Sequence, residues 1–287
     1  MWLVTGSSGL IGSDLCAELE KNRISYIRIS RNSLPPRNSA FDHLTDLSLP
    51  NFDWRMISNQ VSGIVHLAAA VPHSSEYPDN LVSARKTEVM DENIVNLQKI
   101  TGAPLIYMST CGFYSKLVDA VHVEEEVGSI STTSPYFLAK LRGERRINQI
   151  ENAVILRLSA PVSATPKENL VLGKMISDAR TKGMISVYGK GTREQDFIRV
   201  QDVTSAIVKM MSTNRFGTFN LCSSVATDMV TLARAIKKYI PSSQIKIGES
   251  IDENEGHRTR YANLKLKETI DWDPMTDIES MLSILEL

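Results

Sequence analysis

The sequence has few cysteines, no long apolar run and almost no net charge, and each absence excludes a class of protein. Its 287 residues include three cysteines, Cys16, Cys111 and Cys222, whose spacings fit neither a disulfide framework nor a metal site. No run of about 18 apolar residues is present, so we expect no membrane-spanning helix. The formal net charge of −1 gives no reason to expect a nucleic-acid partner. We therefore expect a cytoplasmic protein without a metal centre.

The first dozen residues carry the strongest local pattern. A short β-type run leads into Gly6, Gly9 and Gly12, and an amphipathic helical pattern starts at Leu10. A strand, a glycine turn and a helix in this order place a phosphate group against free N–H groups and the positive end of the helix dipole. The same glycines also occur in ordinary α/β turns, so the later motifs decide between the two interpretations. The predicted cofactor contacts here are Gly6, Ser8, Gly9, Leu10, Ile11 and Gly12.

The end of the second predicted strand, Tyr26 to Ser30, bears on the choice between NAD and NADP. An acidic residue at this point of a dinucleotide-binding fold binds the ribose 2′-hydroxyl of NAD, whereas an arginine accommodates the 2′-phosphate of NADP. The chain has no acidic residue from Ile29 to Asn32, and it has Arg28 and Arg31. We therefore expect NADP rather than NAD, although Arg31 would also fit an ordinary solvated loop.

Small or polar residues follow three further predicted strands. The strand from Gly63 to Ala70 ends in small side chains that would let a cofactor approach. We interpret His66 as structural rather than catalytic, because it lies inside this apolar strand. The next strand ends in Ser109 and Thr110, at the carboxyl edge where open α/β sheets bind ligands. The other predicted cofactor contacts in these strand ends are Asp46, Leu47, Leu67, Ala68 and Ala69.

Tyr136 and Lys140 lie four residues apart in a predicted helix that opens after Pro135, so they share one helix face. A free tyrosine titrates near pH 10, too high for a good base near neutrality, and a neighbouring ammonium would stabilise its phenolate. The Thr110 hydroxyl would hydrogen-bond the same substrate oxygen. A tyrosine and lysine at this spacing also occur as an ordinary exposed pair, but the preceding glycine turn favours a catalytic pair for hydride chemistry.

These motifs together resemble the extended short-chain dehydrogenase/reductases of the nucleotide-sugar epimerase, dehydratase and reductase family. The resemblance covers nearly the whole length. It rests on TGSSGLIG from position 5, HLAAA at 66–70, the NIVN helix from 93, MST at 108–110, YFLAK at 136–140, ILRLSAP at 155–161, YGKGTREQDFIRVQDV at 188–203 and DWDP from 271.

The resemblance implies an NAD(P)-dependent enzyme that acts on a nucleotide-sugar substrate, forms a homodimer, and uses Tyr136 as general acid/base with Lys140 as its partner. It also implies a proton relay through Asn93, a substrate role for Ser109 and Thr110, and Pro161 beside the nicotinamide. The arginines that would bind the substrate diphosphate are Arg193, Arg258 and Arg260.

We expect an α/β Rossmann-type, doubly wound parallel sheet with a small C-terminal α/β substrate-binding lobe. The dinucleotide-binding domain would comprise residues 1–160, with contributions from about 184–222. Residues 161–287 would form most of the substrate-binding lobe.

The chain departs from the family pattern in its substrate site. Dehydratases of the family have Asp-Glu after the catalytic threonine, whereas this chain has Cys111 and Gly112, which argues against a dehydratase. Ala160 and Gln195 replace the Asn and Arg common in the family. Three hypotheses follow: an NADPH-dependent reductase of a 4-keto-6-deoxy sugar nucleotide, a redox-neutral NAD-dependent 4-epimerase, and a dinucleotide-binding sensor without activity. We favour the reductase.

Overall fold

The computed structural model describes residues 1–31, 34–72, 77–115, 119–125, 132–166, 168, 170–248 and 250–285. The strands are β1 (Trp2–Thr5), β2 (Tyr26–Ser30), β3 (Ala40–Leu44), β4 (Gly63–His66), β5 (Leu105–Thr110), β6 (Ala153–Leu158), β7 (Ala160–Val162), β8 (Met184–Val187), β9 (Glu194–Arg199), β10 (Gly217–Leu221), β11 (Ala226–Asp228) and β12 (Gln244–Ile247). The helices are α1 (Leu10–Lys21), α2 (Tyr77–Thr101), α3 (Pro135–Ile147), α4 (Val171–Lys182), α5 (Val200–Met211), α6 (Met229–Tyr239), α7 (Leu264–Ile270) and α8 (Ile278–Leu282).

Seven parallel strands form the central sheet in the order β3-β2-β1-β4-β5-β6-β10. Alternate side chains of each strand point to opposite faces. In β1, Val4 packs in the core that includes residues of α1 and α5, whereas Leu3 packs in the core that includes residues of α2 and α3. Helices therefore cover both faces, and the predicted Rossmann-type fold is confirmed.

The second half of the chain adds β10 to the edge of this sheet and forms two small sheets. One has the order β11-β9-β7, and the other pairs β12 with β8. The strands β7, β8, β9 and β11 have three to six residues and were not predicted from the sequence. A separate apolar core contains buried residues of α4, α6 and α8, among them Met175, Leu232 and Met281.

Helix α2 differs from its sequence prediction in length and in its buried face. The apolar pattern predicts a start at Arg85, but the helix begins at Tyr77. Ile94 and Leu97 are buried as expected, whereas Ile100 is 63% exposed. Polar residues of α2 are also buried, among them Thr87, Asp91 and Asn93. Within the described residues no helix is long and apolar enough to cross a membrane.

A buried ion pair fixes α3 to the sheet. Arg157 of β6 donates to the Glu144 carboxylate through Nε at 3.0 Å and through Nη2 at 2.8 Å, and it donates to the Tyr114 hydroxyl at 2.5 Å. Both charged side chains are at most 7% exposed. Removing one partner of such a pair leaves an unpaired buried charge, which costs several kcal/mol.

We predict that Glu144→Ala lowers the free energy of unfolding by about 3–5 kcal/mol, because it leaves the Arg157 guanidinium buried without its carboxylate. Glu88→Ala is the matched control, since Glu88 pairs with Arg142 at the surface and its loss costs about 1 kcal/mol or less. Urea denaturation of the three proteins measures both values. Equal losses for the two variants would contradict the role assigned to the buried pair.

Candidate active site

The ends of β1 and β4 meet at the carboxyl edge of the sheet. Gly6 has a φ of +66°, in the left-handed region, and a Cβ there would lie 2.8 Å from the backbone nitrogen of Ala68. The Thr5 hydroxyl oxygen accepts a hydrogen bond from the Ala68 N–H at 3.2 Å. A Cβ at Gly12 would overlap the carbonyl oxygen of Gly6, so α1 packs directly on the turn. These close approaches require glycine and place the first turn of α1 at the strand end.

The two arginines near the end of β2 have different surroundings. Arg28 is buried and donates to both carboxylate oxygens of Asp42, at 2.5 Å and 2.7 Å, so it is not free for a phosphate group. Arg31 is exposed and lies near enough to Asp46 to contribute to the lowered pKa of that carboxyl. The main cause of that lowering is the Ser48 N–H, which donates to Asp46 at 2.9 Å. Asn32 and Ser33 lie outside the described residues.

Thr110 ends β5, and its Oγ1 accepts a hydrogen bond from the Gly112 N–H at 2.9 Å. A side chain at Gly112 would meet the ring of Phe137, which fills the space beside the threonine. The neighbouring Ser109 hydroxyl is buried and has no hydrogen-bond partner in the structure. The Phe137 ring therefore occupies the space that a side chain two residues after Thr110 would take, and no acid/base side chain is present at that position.

Helix α3 carries Tyr136 and Lys140 on one face. Pro135 starts the helix at a position where the missing N–H costs nothing. Lys140 is 2% exposed, and its Nζ lies 4.1 Å from the centroid of the Tyr107 ring on β5. This cation–π contact fixes the ammonium group beneath the helix at the end of the sheet.

The surroundings of the pair change the expected protonation of Tyr136. Burial, and then the charge of Asp91, hold the pKa of the Tyr136 hydroxyl above its ordinary value. Burial lowers the pKa of Lys140, and the carboxylates of Asp91 and Glu144 oppose that lowering. Burial and Asp91 thus favour the protonated form of Tyr136, and the stabilisation of its phenolate by Lys140 stays a prediction.

A buried polar chain lies below the pair, and sequence reasoning missed its central residue. The Asp91 carboxylate is 3.1 Å from His66 Nε2 and accepts a hydrogen bond from the Tyr107 hydroxyl at 2.8 Å. The other ring nitrogen of His66, Nδ1, is 2.7 Å from the hydroxyl oxygen of Thr5. Burial lowers the pKa of His66, so its imidazole is neutral. His66 is a buried structural residue as predicted, and it connects β1 to α2. In the sequence, the only sign of this network of polar contacts was an acidic residue among the buried positions of α2.

Asn93 does not lie at Lys140. Its Nδ2 donates to the carbonyl oxygens of Leu47 at 2.9 Å and Leu49 at 2.8 Å, and its Oδ1 accepts from the Phe52 N–H at 3.2 Å. These bonds use both amide hydrogens and fix the segment that follows β3. The predicted proton relay through Asn93 is therefore wrong.

The predicted cofactor contacts Leu47 and Pro161 lie in ordered surroundings. The Leu47 side chain is 4% exposed and packs in the core that includes residues of α2. Pro161 lies in β7, paired with Ile198 of β9. Leu67, Ala68 and Ala69 follow β4 and are half-buried.

The three predicted substrate arginines all contact carboxylates. Arg260 donates to both oxygens of Glu194, at 2.7 Å and 2.6 Å, so its bidentate edge is not free for a diphosphate and that prediction is wrong. Arg258 pairs with Asp119, which is 61% exposed. Such a surface pair is weak and exchanges easily for a phosphate. The Arg193 Nε lies 3.5 Å from a carboxylate oxygen of Asp252, and its Nη2 lies 3.6 Å from the Met229 sulfur.

The residues at the strand ends fit a dinucleotide cofactor. A Cβ at Gly6 or Gly12 would meet backbone atoms of Ala68 or Gly6, so these glycines keep the first turn of α1 close to the strand ends, and the small side chains of Ala68 and Ala69 follow β4. Lys140 lies over Tyr107 of β5, two strands along the sheet from β1. No group of three metal-ligating side chains occurs in the part of the chain that the structure describes.

Comparison with known proteins now adds to this geometry. The model of the NAD-dependent epimerase/dehydratase family matches residues 2–222, which is more than half of the chain. The chain belongs to this family. The relatives and structural neighbours below are named as nucleotide-sugar epimerases, decarboxylases and a reductase.

Two named relatives show the range within the family. The chain is 27% identical to UDP-glucuronic acid decarboxylase 6 of Arabidopsis thaliana, over 99% of this chain and 87% of the relative. It is 22% identical to dTDP-4-dehydro-6-deoxy-D-allose reductase of Streptomyces bikiniensis, over 95% of this chain and 91% of the relative. It spans 66% of the length of another relative, UDP-glucuronic acid decarboxylase 2 of Arabidopsis thaliana.

Solved structures of the family share the fold. The crystal structure of UDP-glucuronic acid 4-epimerase from Bacillus cereus, in complex with UDP-glucuronic acid and NAD, matches with a TM-score of 0.85 at 19% identity. The match covers 99% of this chain and 96% of that chain. UDP-N-acetylglucosamine 4-epimerase from the same organism matches with a TM-score of 0.83 at 18% identity, over 100% of this chain and 99% of that chain.

Proposed function

We propose that the protein is an NADPH-dependent reductase of a 4-keto-6-deoxy sugar linked to a nucleoside diphosphate. The observation that carries the proposal is the Phe137 ring, which fills the space of a side chain at Gly112 beside Thr110 and leaves Tyr136 as the proposed proton-transfer group. Ketone reduction needs a group that donates a proton to the carbonyl oxygen, and a phenol whose pKa is raised by burial and by Asp91 is a donor in its resting state.

The residues around Thr110 support a reaction with one proton-transfer group. Cys111 and Gly112 stand where dehydratases of the family have their acid/base pair, and the Phe137 ring fills the space of a side chain at Gly112, so elimination lacks an agent at this point. In the proposed reaction the Thr110 hydroxyl hydrogen-bonds the substrate oxygen and Tyr136 gives it the proton. Lys140 holds the nicotinamide ribose and replenishes the tyrosine proton, while the cofactor, when bound, supplies the hydride.

We assign the dinucleotide cofactor and the sugar-nucleotide substrate to opposite sides of the strand ends. Gly6, Gly9 and Gly12 would hold the cofactor pyrophosphate at the start of α1. Arg31 would bind the 2′-phosphate of NADP, since Arg28 is already paired with Asp42. The remaining cofactor contacts are proposed at Ser8, Leu10, Ile11, Asp46, Leu47, Leu67, Ala68, Ala69 and Pro161.

The lobe from residue 161 onward would bind the sugar nucleotide, with Arg193 and Arg258 as the diphosphate ligands and Ser109 beside the sugar. Arg193 fits because its pair with Asp252 is long, at 3.5 Å, and Arg258 fits because its partner Asp119 is exposed. A homodimer through α2 and α3 is also part of the proposal. Val82 and Ile100 of α2 are 52% and 63% exposed, and a partner helix would cover them.

A redox-neutral 4-epimerase is the second candidate. The same threonine, tyrosine and lysine serve both reactions, and a structural neighbour named as a 4-epimerase was solved with NAD. The epimerase would need NAD that stays bound through each turnover. A sensor without activity is less favoured, because it has no use for the complete set of Thr110, Tyr136 and Lys140.

We predict that Tyr136→Phe lowers turnover of a 4-keto-6-deoxy sugar nucleotide by about 100-fold or more and leaves NADPH affinity within about twofold, because only the proton step is lost. Lys140→Met should lower both turnover and NADPH affinity. Steady-state kinetics and fluorescence titration measure these values. Tyr239→Phe is the control, since Tyr239 donates to the Glu279 carbonyl on the surface of α6. Near-parental turnover of Tyr136→Phe would contradict the mechanism.

We predict that Arg31→Gln weakens binding of NADPH about tenfold and changes binding of NADH little, because the 2′-phosphate loses a charged partner. Titration of the reduced cofactors by fluorescence measures both dissociation constants. Arg234→Gln, an exposed arginine of α6, is the control and should change neither. Equal affinity of the parent protein for NADH and NADPH would show that Arg31 is only a loop charge.

A further inference from the structure

Asp91 is a buried carboxylate that the proposed reaction has not yet used. Its side chain is 0% exposed and lies on the face of α2 that packs against the sheet and α3. Around it stand His66 of β4, Tyr107 of β5, and Tyr136, Lys140 and Glu144 of α3. A buried carboxylate is costly unless a positive charge or several hydrogen bonds compensate it.

The charges around Asp91 leave Lys140 as its counter-ion. His66 gives a hydrogen-bond contact at 3.1 Å but no charge, because burial keeps the imidazole neutral. Glu144 is engaged by the Arg157 guanidinium at 2.8 Å, so this second pair is neutral as a whole. The Lys140 Nζ lies 4.1 Å from the centroid of the Tyr107 ring, and the Tyr107 hydroxyl donates to Asp91, so Tyr107 connects the ammonium group to the carboxylate.

Packing holds this arrangement rigidly. A side chain at Gly143, one helical turn after Lys140, would overlap both the Tyr107 hydroxyl and an oxygen of Asp91. Helix α3 therefore lies directly on the hydrogen bond from Tyr107 to Asp91, which is 2.8 Å long. The position of the Lys140 stem relative to the carboxylate follows from this contact.

We propose that Asp91 is a positioning residue that keeps the Lys140 ammonium charged and in place for Tyr136 and the cofactor ribose. The proposal rests on the roles assigned above to Tyr136 and Lys140, and it replaces the predicted role of Asn93. Asp91 stabilises the ammonium and disfavours the tyrosine anion, so it holds both α3 groups in their protonated forms. That state is the one a proton donor needs before each reduction.

The direction of the pH effect follows from these charges. Burial favours neutral Lys140, and Asp91 opposes it. Without the carboxylate, Lys140 loses its proton at lower pH, and Tyr136 also becomes easier to ionise. The alkaline pH at which cofactor affinity and turnover fall should therefore move downward when Asp91 is neutralised.

The test is the pH dependence of the dissociation constants of NADH and NADPH for the parent protein and for Asp91→Asn. NADH is included because it lacks the 2′-phosphate, which titrates itself. We expect the alkaline loss of affinity to move down by about one pH unit or more in Asp91→Asn. Glu92→Gln, the same change at an exposed neighbour on α2, should leave the curve unmoved. An unmoved curve for Asp91→Asn would overturn the proposal.

Tyr107→Phe provides a second test if Asp91→Asn does not fold. It keeps the ring under Lys140 and removes a hydrogen bond to the carboxylate, which should then attract the ammonium more strongly and move the curve to higher pH. A downward shift or none would count against the proposal. Because these titrations need no sugar substrate, a shifted curve in a protein that reduces no ketosugar would sink the proposed function and leave the role of Asp91 standing.

Discussion

The candidate active site depends on the direct packing of α3 against β5 at Gly143. No side chain separates the helix from the Tyr107 hydroxyl and the Asp91 carboxylate at this point. The buried pair of Glu144 and Arg157 fixes the next residue of α3 to β6. Together these contacts fix the rotation of α3 about its axis, and with it the positions of Tyr136 and Lys140. The arrangement of the reactive groups at the sheet edge therefore depends on packing at Gly143, about two turns after the start of α3.

A chain of polar contacts connects the two ends of the candidate cofactor site. The Thr5 hydroxyl binds the Ala68 N–H beside the glycine turn and also meets His66. His66 contacts Asp91, whose charge acts on Lys140. The turn at the start of α1 and the lysine of α3 are therefore parts of one buried network. Such a network is stable only when its members are satisfied together.

Much of the fold and part of the site could be predicted from the sequence. The predicted bounds of β2, Tyr26 to Ser30, agree with the structure, because this strand is a short β-type run with clear breaks on either side. Asp91 was missed because a carboxylate on a buried helix face breaks the apolar periodicity that defines that face. The partners of Arg260 come from segments more than 60 residues away, and no local pattern reveals such pairs.

The most direct test of the proposed reductase is the mass of the product formed from a nucleoside diphosphate 4-keto-6-deoxy sugar and NADPH. We predict a product heavier by two hydrogen atoms, with one NADPH consumed for each sugar. A ketosugar of unchanged mass, with no net use of NADPH, would contradict the reductase. Interconversion of a nucleoside diphosphate hexose with its C4 epimer, without net use of cofactor, would favour the 4-epimerase. Loss of carbon dioxide from a nucleotide-linked uronic acid, with the ketosugar left unchanged, would also contradict the reductase and point instead to the decarboxylases among its relatives.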